Sequence, residues 1–132
     1  MSGSQPLSGL RILVVEDDYF QAEYACAALQ EAGATIVGPC STAADALRLA
    51  LIAELDCALL DIDLGGRLDT GTAEALLERG LPVVFITGHD PEIVPGPLAE
   101  LPLILKPAPR DAIVAAVARA AGGNCNRGMG VR

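Results

Sequence analysis

Short apolar runs that stop abruptly at polar residues constrain this chain more than any other feature. Arg11-Ile-Leu-Val-Val15 runs into three acids, Glu16, Asp17 and Asp18, and Cys57-Ala-Leu-Leu60 runs into Asp61 and Asp63. Pro82-Val-Val-Phe-Ile86 gives way to Thr87 and Gly88, and Leu103-Ile-Leu105 to Lys106 and Pro107. Runs this short, with no polar alternation, read as strands buried on both faces. A weaker strand, Thr35-Ile-Val-Gly38, is closed by Pro39.

Helical stretches separate the runs. Tyr19 to Ala32 is rich in Ala, Leu and Gln, and Gly33 follows as a stop. Ser41 or Thr42 can cap a second helix that continues to about Leu55. A third runs from about Gly71 to Arg79 and stops at Gly80, and a last one covers Pro109 to Ala121 with Ile113, Val114 and Val117 inward. Only the fourth crossover breaks the pattern. Pro91, Pro95, Gly96, Pro97 and Pro102 leave little room for a helix there, since each proline removes an amide donor. Alternating strands and helices with apolar central strands predict an α/β fold, a parallel sheet covered on both faces. Ligands in such folds sit at the carboxyl ends of the strands, the edge that would carry Glu16, Asp17, Asp61, Thr87 and Lys106.

A chain of 132 residues suits one core. The expected division is an N-terminal extension over 1–10, one domain over 11–121 and a flexible tail over 122–132. With aromatics at 3%, the core must come from Leu, Ile, Val and Ala. A net charge of -8 argues against direct nucleic-acid binding, which needs clustered Lys and Arg. Cys26, Cys40, Cys57 and Cys125 form no C-x-x-C pair and His89 has no ligating neighbour, so no zinc site is expected. Three of the cysteines lie in or beside apolar segments and read as small buried hydrophobes in a reducing compartment. No basic leader and no apolar stretch of about 20 residues is present. The expectation is a cytoplasmic protein with no membrane partner.

Glu16, Asp17 and Asp61 on neighbouring strands would repel one another unless a cation intervened, and few carboxylates with room for water suit Mg²⁺. A carboxylate at a strand end before the Gly65-Gly66 turn can act as a nucleophile toward phosphorus. Phosphoryl transfer depends on alignment and charge neutralisation, for which Mg²⁺, Lys106 and Thr87 are the helpers at hand. Taken singly, each residue has a plainer reading: solvated acids, a strand-end hydroxyl, a surface lysine. Four of them, in order, at four strand ends converge on one edge.

Leu13-Val-Val-Glu-Asp17, Leu59-Leu-Asp61-Ile-Asp63-Leu64, Phe85-Ile-Thr87-Gly88 and Leu105-Lys106-Pro107 together resemble the receiver domain of bacterial response regulators, over about Arg11 to Ala121. The resemblance implies a flavodoxin-like, doubly wound, five-stranded parallel sheet of order 2-1-3-4-5. It also implies Asp61 as phosphoryl acceptor with Thr87 and Lys106 as helpers, and Mg²⁺ held by Glu16, Asp17, Asp61 and the backbone carbonyl of Asp63. Asp18 is left as an extra acid facing outward, and Lys106-Pro107 is similar to a bond that is cis in the family. The implied activity is not that of an enzyme proper. It is a signalling domain taking its phosphoryl group from a histidine kinase or phosphotransfer protein, acting alone as a monomer or weak dimer on an unknown downstream protein.

Two features depart from the common pattern. Leu103 stands where many receivers carry a switching Tyr or Phe. The proline-rich crossover, with Pro82-Val-Val-Phe-Ile-Thr-Gly88, resembles an atypical PFxFATGY-like subgroup. Without an aromatic switch, reordering of His89 to Pro102 is the expected route of the signal. His89 itself reads as a solvated loop residue. Asp61-Ile-Asp63 also resembles the D-x-D nucleophile of haloacid-dehalogenase-type phosphatases, but that family carries it on the first strand with its metal-binding acids late in the chain. A pseudo-receiver that binds without being phosphorylated is the third reading, and the intact Asp61, Thr87 and Lys106 weigh against it.

Overall fold

A computed structural model describes residues 5–64, 67–68, 70–88 and 98–128, the side chains of 64, 67, 68 and 123–128 excepted. In chain order the elements are β1 (Arg11–Val15), α1 (Tyr19–Glu31), β2 (Thr35–Cys40), α2 (Ala43–Ile52), β3 (Cys57–Asp61), β4 (Asp63–Leu64), β5 (Arg67–Leu68), α3 (Gly71–Glu78), β6 (Val83–Thr87), β7 (Leu103–Leu105) and α4 (Arg110–Gly128). Five strands form one parallel sheet in the order β2-β1-β3-β6-β7, which is 2-1-3-4-5 when only these five are counted. The fold is the expected doubly wound, flavodoxin-like sheet. β4 and β5 make a separate two-residue antiparallel ladder just beyond β3.

The strands sort their side chains by the period-two alternation of an extended chain. Ile12, Val14, Leu59 and Val84 pack on one face with Leu29 of α1 and Ile113 and Val117 of α4. Leu13, Val15, Leu60 and Phe85 pack on the other with Ala46 of α2 and Leu76 of α3. β3 and β6 are buried along their whole length, which is why they read as unbroken apolar runs. Each large side chain removed from water in this way contributes roughly 1.5–3 kcal/mol before the cost of ordering it.

Four boundaries differ from expectation, the simplest being α2, which ends at Ile52 rather than at about Leu55. β2 is not closed by Pro39 but continues to Cys40. As an edge strand it tolerates a residue with no N–H, and the pairing of Leu13 with Val37 but Val15 with Cys40 shows a bulge that absorbs it. Gly38 makes the bulge possible: its φ is +97°, and a Cβ there would lie 2.9 Å from the Cys40 nitrogen. At the amino end, the extension is not merely an addition. Leu7 is fully buried, and its N–H donates to the Ala32 carbonyl at 2.8 Å, so the packed unit begins before Arg11. At the other end, α4 does not stop at Ala121 as expected but runs to Gly128. Gly122 and Gly123 weaken a helix without removing its amide donors, and no proline follows to end it. Of the expected irregular crossover, 89–97 lie outside the described residues. Residues 98–101 form only a short turn, with the Leu101 N–H on the Leu98 carbonyl at 3.1 Å.

Candidate functional site

β1, β3, β6 and β7 all point their carboxyl ends the same way, and the residue at or just past each end is polar. Asp61 closes β3 and is the register partner of Ile86, so Thr87 stands one step beyond it on β6. Thr87 in turn pairs with Leu105, and the Lys106 N–H donates to the Thr87 carbonyl at 2.8 Å. On the other side, Leu60 pairs with Val15, which sets Glu16 beside Asp61. Glu16 is anchored by its own N–H to the Cys40 carbonyl at 2.9 Å.

The Lys106 ammonium ties the edge together. Its Nζ donates to Asp61 Oδ2 at 2.7 Å and to Glu16 Oε1 at 2.8 Å, across 45 and 90 residues of sequence. The remaining oxygens are held by backbone: Asp63 N–H donates to Asp61 Oδ1 at 2.8 Å, and Asp18 N–H to Glu16 Oε2 at 3.1 Å. Asp61 and Glu16 are 2% and 6% exposed and Thr87 is fully buried, whereas Asp17 lies open to solvent. The Lys106–Pro107 peptide is cis, as the resemblance implied.

Burial has an electrical consequence. It pushes the Glu16 carboxyl up to about 7, against the pull of Lys106 and with a further push from Asp61. The ammonium of Lys106 is itself disfavoured by burial, but its bonds to Asp61 and Glu16 outweigh this and the net shift is upward. One lysine thus faces more negative charge than it can neutralise. Glu16, Asp17 and Asp61 each offer a carboxylate oxygen, all within 4.8 Å of one another. Hard oxygen donors in such number, one of them on the solvent side, fit a divalent cation of the Mg²⁺ class.

The structure therefore brings Glu16, Asp17, Asp61 and Lys106 together, sets Thr87 at the adjoining strand end, and uses the backbone N–H of Asp63 on Asp61. Leu103 is half-buried and packs with the α2/α3 side of the core. His89 and the Gly65-Gly66 turn fall outside the described residues. Cys26, Cys40 and Cys57 are buried free thiols, and burial pushes Cys57 up to about 12, which fits packing rather than chemistry. No helix among the described residues is long and apolar enough to cross a membrane. Sequence reasoning missed the part played by Asp18. It caps α1, its Oδ1 accepting the Gln21 N–H at 3.0 Å, while its own N–H reaches Glu16. The signal was there in Asp18-Tyr-Phe-Gln21, an N-cap residue followed three places on by Gln.

No protein-family model matches the chain, and no curated protein does. Solved structures do. SdrG from Sphingomonas melonis Fr1 is 34% identical, with a TM-score of 0.72 over 91% of this chain and 98% of that one. The signal receiver domain of NarL from Mycobacterium tuberculosis is 32% identical, with a TM-score of 0.76 over 88% and 98%. The response regulator PhyR from Brucella abortus is 25% identical, with a TM-score of 0.81 over 99% of this chain; the match spans 56% of PhyR. With the sheet order, the strand-end residues and these likenesses in agreement, the chain belongs to the family of response-regulator receiver domains.

Proposed function

We propose that this chain accepts a phosphoryl group on Asp61 in a Mg²⁺-dependent reaction, with a histidine kinase or phosphotransfer protein as donor, and signals by protein contacts. The observation that carries this is the arrangement of Lys106 between Asp61 and Glu16 at a buried strand end. Asp61 Oδ1 is held by the Asp63 N–H and Oδ2 by the lysine, so the carboxylate is fixed in orientation before any donor arrives. Such pre-alignment is the main contribution a protein makes to phosphoryl transfer. Attack by a carboxylate oxygen on a phosphohistidine breaks the P–N bond, forms a P–O bond and leaves the imidazole nitrogen to be protonated.

Glu16, Asp17 and Asp61, with the Asp63 carbonyl as the resemblance implies, would hold the metal. When bound, it would offset the negative charge of the transferred group. Lys106 can follow the charge from the carboxylate to the incoming oxygens, and the Thr87 hydroxyl is the donor at the adjoining strand end. A signalling domain is favoured over a phosphatase of the haloacid-dehalogenase type, because Asp61 lies on β3, the third strand of the chain, and the acidic Glu16 and Asp17 come earlier, just past the end of β1. Intact mass after incubation with Mg²⁺ and either acetyl phosphate or a phosphorylated kinase tests this. One phosphoryl group should appear, be lost in chelator and be absent from Asp61→Asn. An unmodified wild type with both donors would leave only the binding role of a pseudo-receiver.

A further inference from the structure

We infer that Asp18 is a positioning residue for the acidic pocket, linking the start of α1 to the orientation of the Glu16 carboxylate; this rests on the function proposed above. Asp18 has extended backbone (φ −91°, ψ 120°) and works in three directions at once. Its Oδ1 accepts the Gln21 N–H at 3.0 Å, its carbonyl accepts the Ala22 N–H at 2.9 Å, and its N–H donates to Glu16 Oε2 at 3.1 Å. The first two bonds fix the residue at the mouth of the helix, and that fixes where its N–H points. Glu16 Oε1 is already held by Lys106 at 2.8 Å, so the two oxygens of this buried carboxylate are oriented from opposite sides, one by β7's trailing lysine and one by α1.

Asp18 itself is exposed, so its side chain acts through the cap rather than by touching a reacting group. The chain also supplies its own control. Thr42 caps α2 with the same bond pattern, its Oγ1 accepting the Asp45 N–H at 3.2 Å, and none of its bonds reaches Glu16, Asp61 or Lys106. Loss of either cap should cost comparable stability, but only loss of Asp18 should loosen the pocket. Asn caps helices about as well as Asp and carries no charge, so it separates the cap from simple electrostatics beside Asp17.

Mg²⁺ affinity by calorimetric titration and the rate of labelling by acetyl phosphate would be measured on wild type, Asp18→Ala, Asp18→Asn and Thr42→Ala. Asp18→Ala should weaken metal binding and slow labelling by about threefold to tenfold, while Asp18→Asn and Thr42→Ala stay within about twofold of wild type. Equal metal affinity in Asp18→Ala and Thr42→Ala would overturn the inference, and so would an Asp18→Asn as impaired as Asp18→Ala. If the wild type takes neither metal nor phosphoryl group, the proposed function fails separately. Hydrogen exchange at the residue-18 amide then decides the positioning role: protection in wild type and Asp18→Asn but not in Asp18→Ala supports it, and equal protection in all three overturns it.

Discussion

At the amino-terminal edge of the sheet, Arg11 and Asp56 close on each other: Arg11 N–H donates to Asp56 Oδ2 at 2.8 Å, Asp56 N–H returns to the Arg11 carbonyl at 2.8 Å, and Arg11 Nε reaches the Glu54 carbonyl at 2.7 Å. Leu7 is tied to the end of α1 through the Ala32 carbonyl, and Ser8 passes so close to Gly33 that a Cβ there would lie 2.9 Å from the Ser8 Cα. At the carboxyl edge the strands end instead in buried carboxylates that outnumber the one ammonium between them. The first edge pairs charge with backbone in half-exposed contacts, a sealed end. The second leaves an electrostatic demand that an incoming cation and phosphoryl group can meet. One edge is closed by its own pairs; the other is the edge that the proposed chemistry would use.

Lys106→Met should break the contrast most visibly. Labelling should fall by at least about a hundredfold. Stripped of their ammonium, Glu16 and Asp61 should also cost the fold about 3 kcal/mol in chelator, much of it recovered in Mg²⁺. Thermal melts with and without the metal, beside the mass assay, read both effects. A melting point unchanged in chelator would show that the two carboxylates do not press on one another.

Leu7→Ala is the counterpart at the sealed edge. Truncating this fully buried side chain should cost about 2–5 kcal/mol in a urea titration, while the labelling rate of the folded fraction stays at the wild-type value. Gly33→Ala, with φ at +103° and no room for a Cβ, should destabilise in the same sense by about 1–3 kcal/mol. A labelling defect in either variant, under conditions where it is folded, would mean that the two edges are coupled.

Acidity separates the edges more gently. The Glu16 carboxyl is held near 7 in the folded chain against an ordinary 4.5, so without metal the stability it contributes is complete below 4.5 and is lost as pH rises through about 7. In chelator, wild type should therefore lose stability relative to Glu16→Gln between about pH 4.5 and pH 7, and Mg²⁺ affinity should climb over the same interval. Parallel stability profiles for the two proteins would show that Glu16 ionises freely. The smallest effect belongs to Cys57, whose thiol is pushed up to about 12 by burial. A maleimide reagent at neutral pH should leave it unmodified until the protein is denatured.

Much of this was legible in the sequence because the strands that carry the site are buried on both faces, which forbids polar alternation and makes their polar ends conspicuous. The shared edge position of Asp61, Lys106, Glu16 and Thr87 is legible in that way. What escaped depends on contacts between distant segments or on local backbone geometry. Pro39 looks like a strand terminator until the edge position and the Gly38 bulge are known. Leu7 looks like part of a loose extension until the groove it enters, beside Ala32, has been formed. Nothing in Gly122-Gly123 tells whether a helix ends or is merely weakened. Asp18, in a run of three acids, is hidden by its neighbours, although its spacing to Gln21 marks it as a cap.

The distance along the chain between the partners at the carboxyl edge has a bearing on biosynthesis. Glu16 and Asp61 leave the ribosome well before Lys106, which is 90 and 45 residues further on. Until β7 docks beside β6, a nascent chain carries the acidic cluster without its counter-charge, and Asp61 Oδ2 lacks its lysine even where Oδ1 is already held by the Asp63 N–H. On the proposed function, a copy that lacks β7 would therefore be a poor phosphoryl acceptor, and labelling would report copies whose last strand has docked rather than the number of aspartates made.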